Sequence, residues 1–464
     1  MNLQPILRNL PEVKAPLEKR LSFNVKLKWT LIIIFAFFIL ANIPLYGMAK
    51  NSLERFQYLA IILGTDFGSI ISLGIGPIVM ASIILQLLVG SKILEIDTKT
   101  EEGKKYFQGL QKLIVFFFII FEASVYVLMN GLQAVPGFTG IVIFQLVLGG
   151  LAIVFMDDLM NKWGFGQGVS LFIVCGVGWR IFTGLFQFIG QNGGNCLLKF
   201  SGTDFISCPG QIFTFLQSLI NQDLTGAMLA AVVLVVTVII FGVIVYAQSL
   251  KVEIPLSYDR LRGYGIRWPL AFFYASVIPV ILVAALAANM QLFAGLFESW
   301  LGHATWLGGF SQGQPISGVA FWVSQNNILG LAIKGSLRIE FLLQGLVHIL
   351  FYMTFSVIFA VFWVKTSGMD AGSQARNILS SGLQIPGFRK DERVLESVLE
   401  RYVFPLTVMG GAAIGLLAAV ADELGALTSG TSILLAVMII YQYYNSISQQ
   451  HAVDMHPAMK KLMK

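Results

Sequence analysis

The stretch FQYLAIILGTDFGSIISLGIGPIVMASIILQLLVG (56–90) decides how this chain is organised. It is apolar along its length, yet Gly64, Gly68, Gly74, Gly76 and Pro77 interrupt it. Glycine inside a helix costs about 1 kcal/mol relative to alanine and proline about 3 kcal/mol. A continuous helix is therefore expected only from about 76 to 90. The piece 56–70 is too short to cross a bilayer and too apolar for an ordinary loop.

The rest of the chain fixes the solvent for that stretch. Of its 464 residues, 56% are hydrophobic and 12% charged, and the mean hydropathy is +0.76. Average soluble domains are about 25% charged. A chain this apolar cannot hide its side chains in one or two water-soluble cores. That excludes a cytoplasmic enzyme, a disordered protein and a nucleic-acid-binding module. The net charge of +6 fits basic cytoplasmic loops of a membrane protein. Residues 1–28 are polar and basic, and no small-residue cleavage site follows the first apolar run, so no cleavable signal peptide is expected.

A spanning helix needs about 20 mostly apolar residues. Nine plain candidates occur at 29–46, 113–132, 138–156, 169–189, 224–247, 269–294, 341–364, 403–421 and 427–444. The short run 76–90 makes a tenth, second in order. With the N-terminus inside, 25 of the 31 Lys and Arg fall in inner segments, five in outer ones, and Arg180 lies within a span. This asymmetry predicts that both termini are cytoplasmic. Ten spans divide into five and five around the polar segment 190–223. An odd number per half inverts the second half relative to the first, and inverted repeats place a functional site at their interface beside broken helices. The expected organisation is a cytoplasmic N-terminal segment (1–28), an N-terminal half (29–189), an external hinge (190–223), a C-terminal half (224–445) with cytoplasmic loops at 248–268 and 364–402, and a cytoplasmic tail (446–464).

The spans carry little chemistry. Glu122, in FFFIIFEASVYV, reads as the one clearly intramembrane carboxylate, while Asp157 and Asp158 sit at a helix end where solvation is expected. No G-x-x-x-x-G-K-[ST] loop and no H-E-x-x-H motif occurs. The four histidines show no metal-site pattern. Neither an enzyme nor a bound cofactor or metal is expected. The two long cytoplasmic loops, by contrast, are basic and rich in turn residues, as a rigid surface for a large anionic partner would be. The plainer reading of their charge is topology alone.

Cys196 and Cys208 both lie in the outer segment, twelve residues apart, with Gly202 and Pro209 available for a reversal. A disulfide there would stiffen the hinge. Spacing alone does not establish connectivity, and two separate free cysteines are the alternative. Cys175, inside a span, is expected to be a free thiol.

Five motifs carry a resemblance. SLGIGPIVMASIILQLLVGS (72–91), YFQGLQKL (106–113), EIPLSYDRLRGYG (253–265), ASVIPVIL (275–282) and PGFRKDE (386–392) lie in order through both halves. Together they resemble the SecY family of protein-conducting channels, in its archaeal form. The resemblance implies an all-α polytopic membrane protein: ten transmembrane helices in two inverted five-helix halves around a central hourglass pore, with a short re-entrant plug helix. It implies a passive channel that moves unfolded secretory polypeptides across the membrane and releases hydrophobic segments sideways into lipid. The implied partners are a small SecE-type (gamma) subunit, a Sec beta subunit, the ribosome, signal sequences with their nascent polypeptides, and membrane lipid, with no specific nucleic-acid sequence. The implied location is the plasma membrane. An inverted-repeat secondary transporter of a small solute is the rival reading; it predicts intramembrane charges that are scarce here.

By the same resemblance the pore ring maps to Ile75, Val79, Val169, Ile173, Ile281 and Leu435. Singly, each of these residues could as well face lipid or pack a core. The segment 56–70 resembles the plug, with Leu59, Ile62, Leu63, Gly64, Thr65, Asp66 and Phe67 at its centre; the alternative is a disrupted outer half of one long helix. The lateral gate, between spans 2 and 3 and spans 7 and 8, would hold a polar cluster of Glu122, Asn289 and Ser82, with Met80 where the family often has a hydroxyl. Glu122 is expected to face Asn289, or to be protonated, rather than to face lipid as a carboxylate. Arg260, Arg262, Arg389 and Lys390 match basic loop-tip positions that bind the cytoplasmic partner.

Overall fold

The computed structural model describes residues 10–18, 21–48, 68–90, 93–94, 96, 100–129, 132–188, 196–197, 207–258, 265–275, 278–311, 314–380, 383–384 and 391–455. In the N-terminal half the long helices are α1 (Phe23–Ala41), α2 (Gly76–Gly90), α3 (Glu101–Leu128), α4 (Thr139–Trp163) and α5 (Gly168–Phe186). An external helix α6 (Gln211–Ile220) precedes α7 (Leu224–Ser249). Strands β1 (Lys251–Tyr258) and β2 (Gly265–Ala271) then lead to α8 (Ile278–Leu301). A hairpin of β3 (Gly309–Ser311) and β4 (Gln314–Ser317), with the short helices α9 (Gly318–Val323) and α10 (Ile328–Ile333), joins α8 to α11 (Ile339–Thr366). The remaining elements are α12 (Ala371–Ser380), β5 (Leu383–Gln384), α13 (Glu392–Glu423) and α14 (Gly430–Met455).

Eight of the described helices are long and apolar enough to cross a membrane. The 15-residue α2 and the 26-residue α14 stand at the other two expected span positions. The interruption at Gly74, Gly76 and Pro77 does what its chemistry dictates: residues 68–75 form turns, with Gly68 and Gly74 at positive φ, and the helix begins at Gly76. Those turns are tied down. Leu45 N–H donates to Gly68 C=O (2.7 Å), Ile70 N–H to Ile43 C=O (3.0 Å), and the Ser72 hydroxyl to Ser69 C=O (2.6 Å).

Several boundaries differ from expectation. The run expected to open span 7 at 269 belongs to β2 and a turn, and α8 starts at Ile278. β1 pairs antiparallel with β2, Lys251 opposite Ala271 and Ile254 opposite Trp268. β1 also pairs with β5, Ser257 opposite Gln384, so the two loops share one sheet in the order β2-β1-β5. The second loop contains α12, and α13 begins at Glu392, well before the expected start of span 9. The outer segment contains α6, and α14 extends to Met455 through half of the expected tail.

The halves meet along two seams. α5 packs against α14, and α2 packs against α8 and α11. Within the C-terminal half the most extensive pairing is α11 with α13. It is close because Gly415 has no side chain: a Cβ there would lie 2.7 Å from the Tyr352 carbonyl oxygen. Small residues at such contacts let backbones approach where lipid supplies no hydrophobic drive.

Candidate functional site

The six aliphatic residues assigned to the ring come from four separate elements and meet in one apolar cluster. Ile75 and Val79 flank the start of α2, Val169 and Ile173 lie on the first turns of α5, Ile281 on α8 and Leu435 on α14. Five are buried and Val169 is half-buried against them. The spacing of Val169 and Ile173 places both on one face of α5. These six residues therefore come from helices that form both seams between the halves.

A cavity of about 750 Å³ opens onto this cluster. Val79, Val169, Ile281 and Leu282 line its apolar part, and Lys104, Gln108, Gln111, Lys112, Asp158 and Lys162 line its polar part. The polar rim is cross-linked. Lys112 pairs with Asp158 (3.2 Å) and Glu12 (3.5 Å), and Lys162 pairs with both as well. Val13 N–H donates to the Asp158 carboxylate (3.0 Å), which fastens the N-terminal segment to this mouth. The expectation that Asp157 and Asp158 are merely solvated is corrected: Asp157 accepts from Val169 N–H (2.9 Å) and from the Asn161 amide (3.1 Å).

Among the described residues, Glu122, Asn289 and Ser82 share no hydrogen bond with one another. Glu122 on α3 is 1% exposed, so it faces protein rather than lipid, but neither carboxyl oxygen has a hydrogen-bond partner among the described residues. Asn289 is buried on α8 and donates to the Ala285 carbonyl of its own helix (2.8 Å). Ser82 donates to Ile78 C=O (2.9 Å) and accepts from the Gln111 amide (2.6 Å). What joins the seam is apolar: Ala81 of α2, Ile119 and Ala123 of α3, and Ala288 and Leu292 of α8 share one buried cluster.

Cys196 and Cys208 are disulfide-bonded and buried, and Cys175 is free. Leu59, Ile62, Leu63, Gly64, Thr65, Asp66 and Phe67 lie outside the described residues, as do Arg260, Arg262, Arg389 and Lys390.

One group escaped sequence reasoning. Asp422 and Glu423, at the end of α13, are buried beside His348 of α11, so Glu122 is not alone as an embedded carboxylate. His348 Nδ1 lies 2.8 Å from Val323 C=O and its Nε2 is 3.6 Å from Asp422. Asn326 N–H reaches Glu423 (3.4 Å), and the Gln344 amide donates to Phe321 C=O (2.7 Å) and the Ser324 hydroxyl (2.8 Å). The network ties the α9–α10 segment to α11 and α13. Its only sequence signal was a pair of acidic residues closing an apolar run.

The SecY family model matches residues 69–444, which span the ring, both seams and the paired loops. This chain belongs to the SecY family. It is 41% identical to the protein translocase subunit SecY of Methanothermobacter thermautotrophicus, over 99% of this chain and 98% of that one. It is 38% identical to the corresponding subunit of Pyrococcus furiosus, over 98% of this chain and 97% of that one. A solved protein-conducting channel superposes with a TM-score of 0.84 at 35% identity, covering 99% of both chains. Sec61 in the canine ribosome-channel complex does so with 0.80 at 34% identity, again over 99% of both. As a SecY-family member the chain is a multi-pass membrane protein and a protein-conducting channel. The secondary-transporter reading finds no support among these relatives.

Proposed function

We propose that the aliphatic ring is the channel's constriction, that the cavity above it is the cytoplasmic funnel, and that α2 and α3 against α8 and α11 form a gate opening sideways to lipid. The observation that carries this reading is that Ile75, Val79, Val169, Ile173, Ile281 and Leu435, from both halves, share one apolar cluster, of which Val79, Val169 and Ile281 line the floor of a polar-mouthed cavity. A ring without fixed charge binds no side-chain type strongly, dewets when empty and parts around a passing chain. Residues 56–70 act as the plug on the far side. The halves, 29–189 and 224–445, move about the hinge 190–223, which the disulfide stiffens.

The channel is passive, and its client is an unfolded secretory polypeptide or a hydrophobic segment. Signal sequences open the gate by partitioning, each central Leu, Ile, Phe or Val contributing ~0.3–0.6 kcal/mol. The ribosome supplies the driving partner, docking on the paired loops through Arg260, Arg262, Arg389 and Lys390; the canine relative was seen in a ribosome complex. A SecE-type subunit clamps the halves, a beta subunit accompanies them, and both termini face the cytoplasm of the plasma membrane. The test is reconstitution: vesicles holding the purified complex should shield a ribosome-bound secretory chain from added protease. Full digestion of the client, equal to that in empty vesicles, would reject the proposal.

A further inference from the structure

Two carboxylates outside the ring occupy matching places in the two halves. The ring-bearing helices α5 and α14 open with similar sequences, GVSLFI (168–173) and GTSILL (430–435). In α5 the Asp157 carboxylate accepts from the N–H of Val169 at 2.9 Å. In α14 the Asp422 carboxylate accepts from the N–H of Thr431, also at 2.9 Å, and from the Thr431 hydroxyl. Each acceptor belongs to the helix immediately before, α4 or α13, and each donor follows the opening glycine.

The first N–H groups of a helix have no partner within it, and a carboxylate there also complements the helix dipole. An ordinary cap comes from the adjoining residue and moves with the helix. Ser429, before α14, also accepts from Ser432 N–H (3.3 Å) in the ordinary way, but the residue before α5, Gln167, makes no such side-chain bond. The cap comes instead from across the hairpin, so it fixes the height of α5 relative to α4. The opening glycines permit this approach: a Cβ on Gly168 would lie 2.6 Å from Asp157 Cα, and one on Gly430 would overlap Ala421. Ile173 and Leu435 each lie four residues beyond the capped N–H, one turn along the same face.

The two caps stand at opposite ends of the bundle. Asp157 shares its cavity with Trp363 of α11, whereas Asp422 faces His348 of the same helix. Fifteen residues separate these, roughly 22 Å of helix. An inverted repeat would place equivalent clamps in this way.

We propose that Asp157 and Asp422 are equivalent positioning residues that set the heights at which Ile173 and Leu435 enter the ring. The inference rests on the reading of those two side chains as ring residues. One residue of slip moves a helix side chain about 1.5 Å along the axis and rotates it away, so an unclamped helix leaves the ring ajar.

The test measures ion leak of the full channel complex in phospholipid vesicles, with residues 56–70 present and deleted. Ile173→Gly and Leu435→Gly should each leak several-fold more than the parent. Asp157→Ala and Asp422→Ala should leak comparably. Asp157→Asn, which keeps an oxygen acceptor, should restore the parent leak, and Asp157→Glu, which displaces it by a methylene, should not. In an Ile173→Gly background, Asp157→Ala should add nothing. These last comparisons separate positioning from general loss of stability, and the Asn and Glu pair serves where the alanine variant does not fold. If the ring variants leak but the Asp157 and Asp422 variants match the parent, the clamps are refuted and the ring stands. If the ring variants do not leak, the ring reading itself fails and the inference falls with it.

Discussion

Replacing Glu122 with methionine should make the gate harder to open. The side chain is 1% exposed, at a seam otherwise lined by alanine, leucine and isoleucine, and both its oxygens lack hydrogen-bond partners among the described residues. A buried polar group without a partner costs about 1–3 kcal/mol, while an apolar group of similar shape costs nothing comparable. In the closed state Glu122 bears that cost. When α2 and α3 part from α8 and α11, water and client reach the carboxyl and the cost falls. Methionine has nearly the same length and no such asymmetry, so Glu122→Met should favour the closed gate by up to about 1–3 kcal/mol. A signal-sequence leucine contributes ~0.3–0.6 kcal/mol on partitioning, so the threshold should rise by roughly two to ten leucines. The assay is translocation of one reporter behind a graded series of signal cores, scored by protease protection. An unchanged threshold, or one lowered by the substitution, would refute the reasoning that the unpaired carboxyl destabilises the closed seam.

Three further outcomes follow from the same account. Replacing both Cys196 and Cys208 by serine should destabilise the outer segment by about 3 kcal/mol, the chain-entropy value for so short a loop, read as earlier proteolysis between α5 and α7; equal protease resistance would count against a bracing role. Deleting 56–70 should raise resting ion conductance while leaving the helical circular dichroism unchanged, and an unaltered leak would mean that another segment seals the pore. Reversing Arg262 and Arg389 to glutamate should weaken ribosome binding and flatten its salt dependence, because fewer phosphate contacts release fewer counterions; intact binding with normal topology would leave their charge a purely topogenic role.

Much of the architecture was readable because lipid leaves few options for a long apolar run. The helix start at Gly76 followed from glycine and proline chemistry, and the positions of the long helices followed from length and composition. The sheet was not readable. Residues 267–273, RWPLAFF, are apolar enough to begin a span, and a short apolar run does not distinguish strand from helix. Only pairing with β1, more than ten residues earlier, assigns 267–271 to β2. The gate shows the same limit. Burial of Glu122 was legible from its neighbours, but Ser82 takes its partner from Gln111 and Asn289 from its own helix turn, choices that tertiary packing makes. Asp422 and Glu423 looked like a helix end meeting water; the α9–α10 segment, about 100 residues earlier, covers them.

The most direct test of the channel assignment places a photo-crosslinking side chain at Ile173 or Leu435 and traps a ribosome-bound secretory polypeptide halfway through. Phe241 serves as the comparison, since it is 53% exposed on α7, a helix long and apolar enough to span the bilayer. The account predicts crosslinks to the trapped chain from both ring positions, one in each half, and only to lipid from Phe241. Labelling of the trapped chain from Phe241 with none from Ile173 or Leu435 would contradict it.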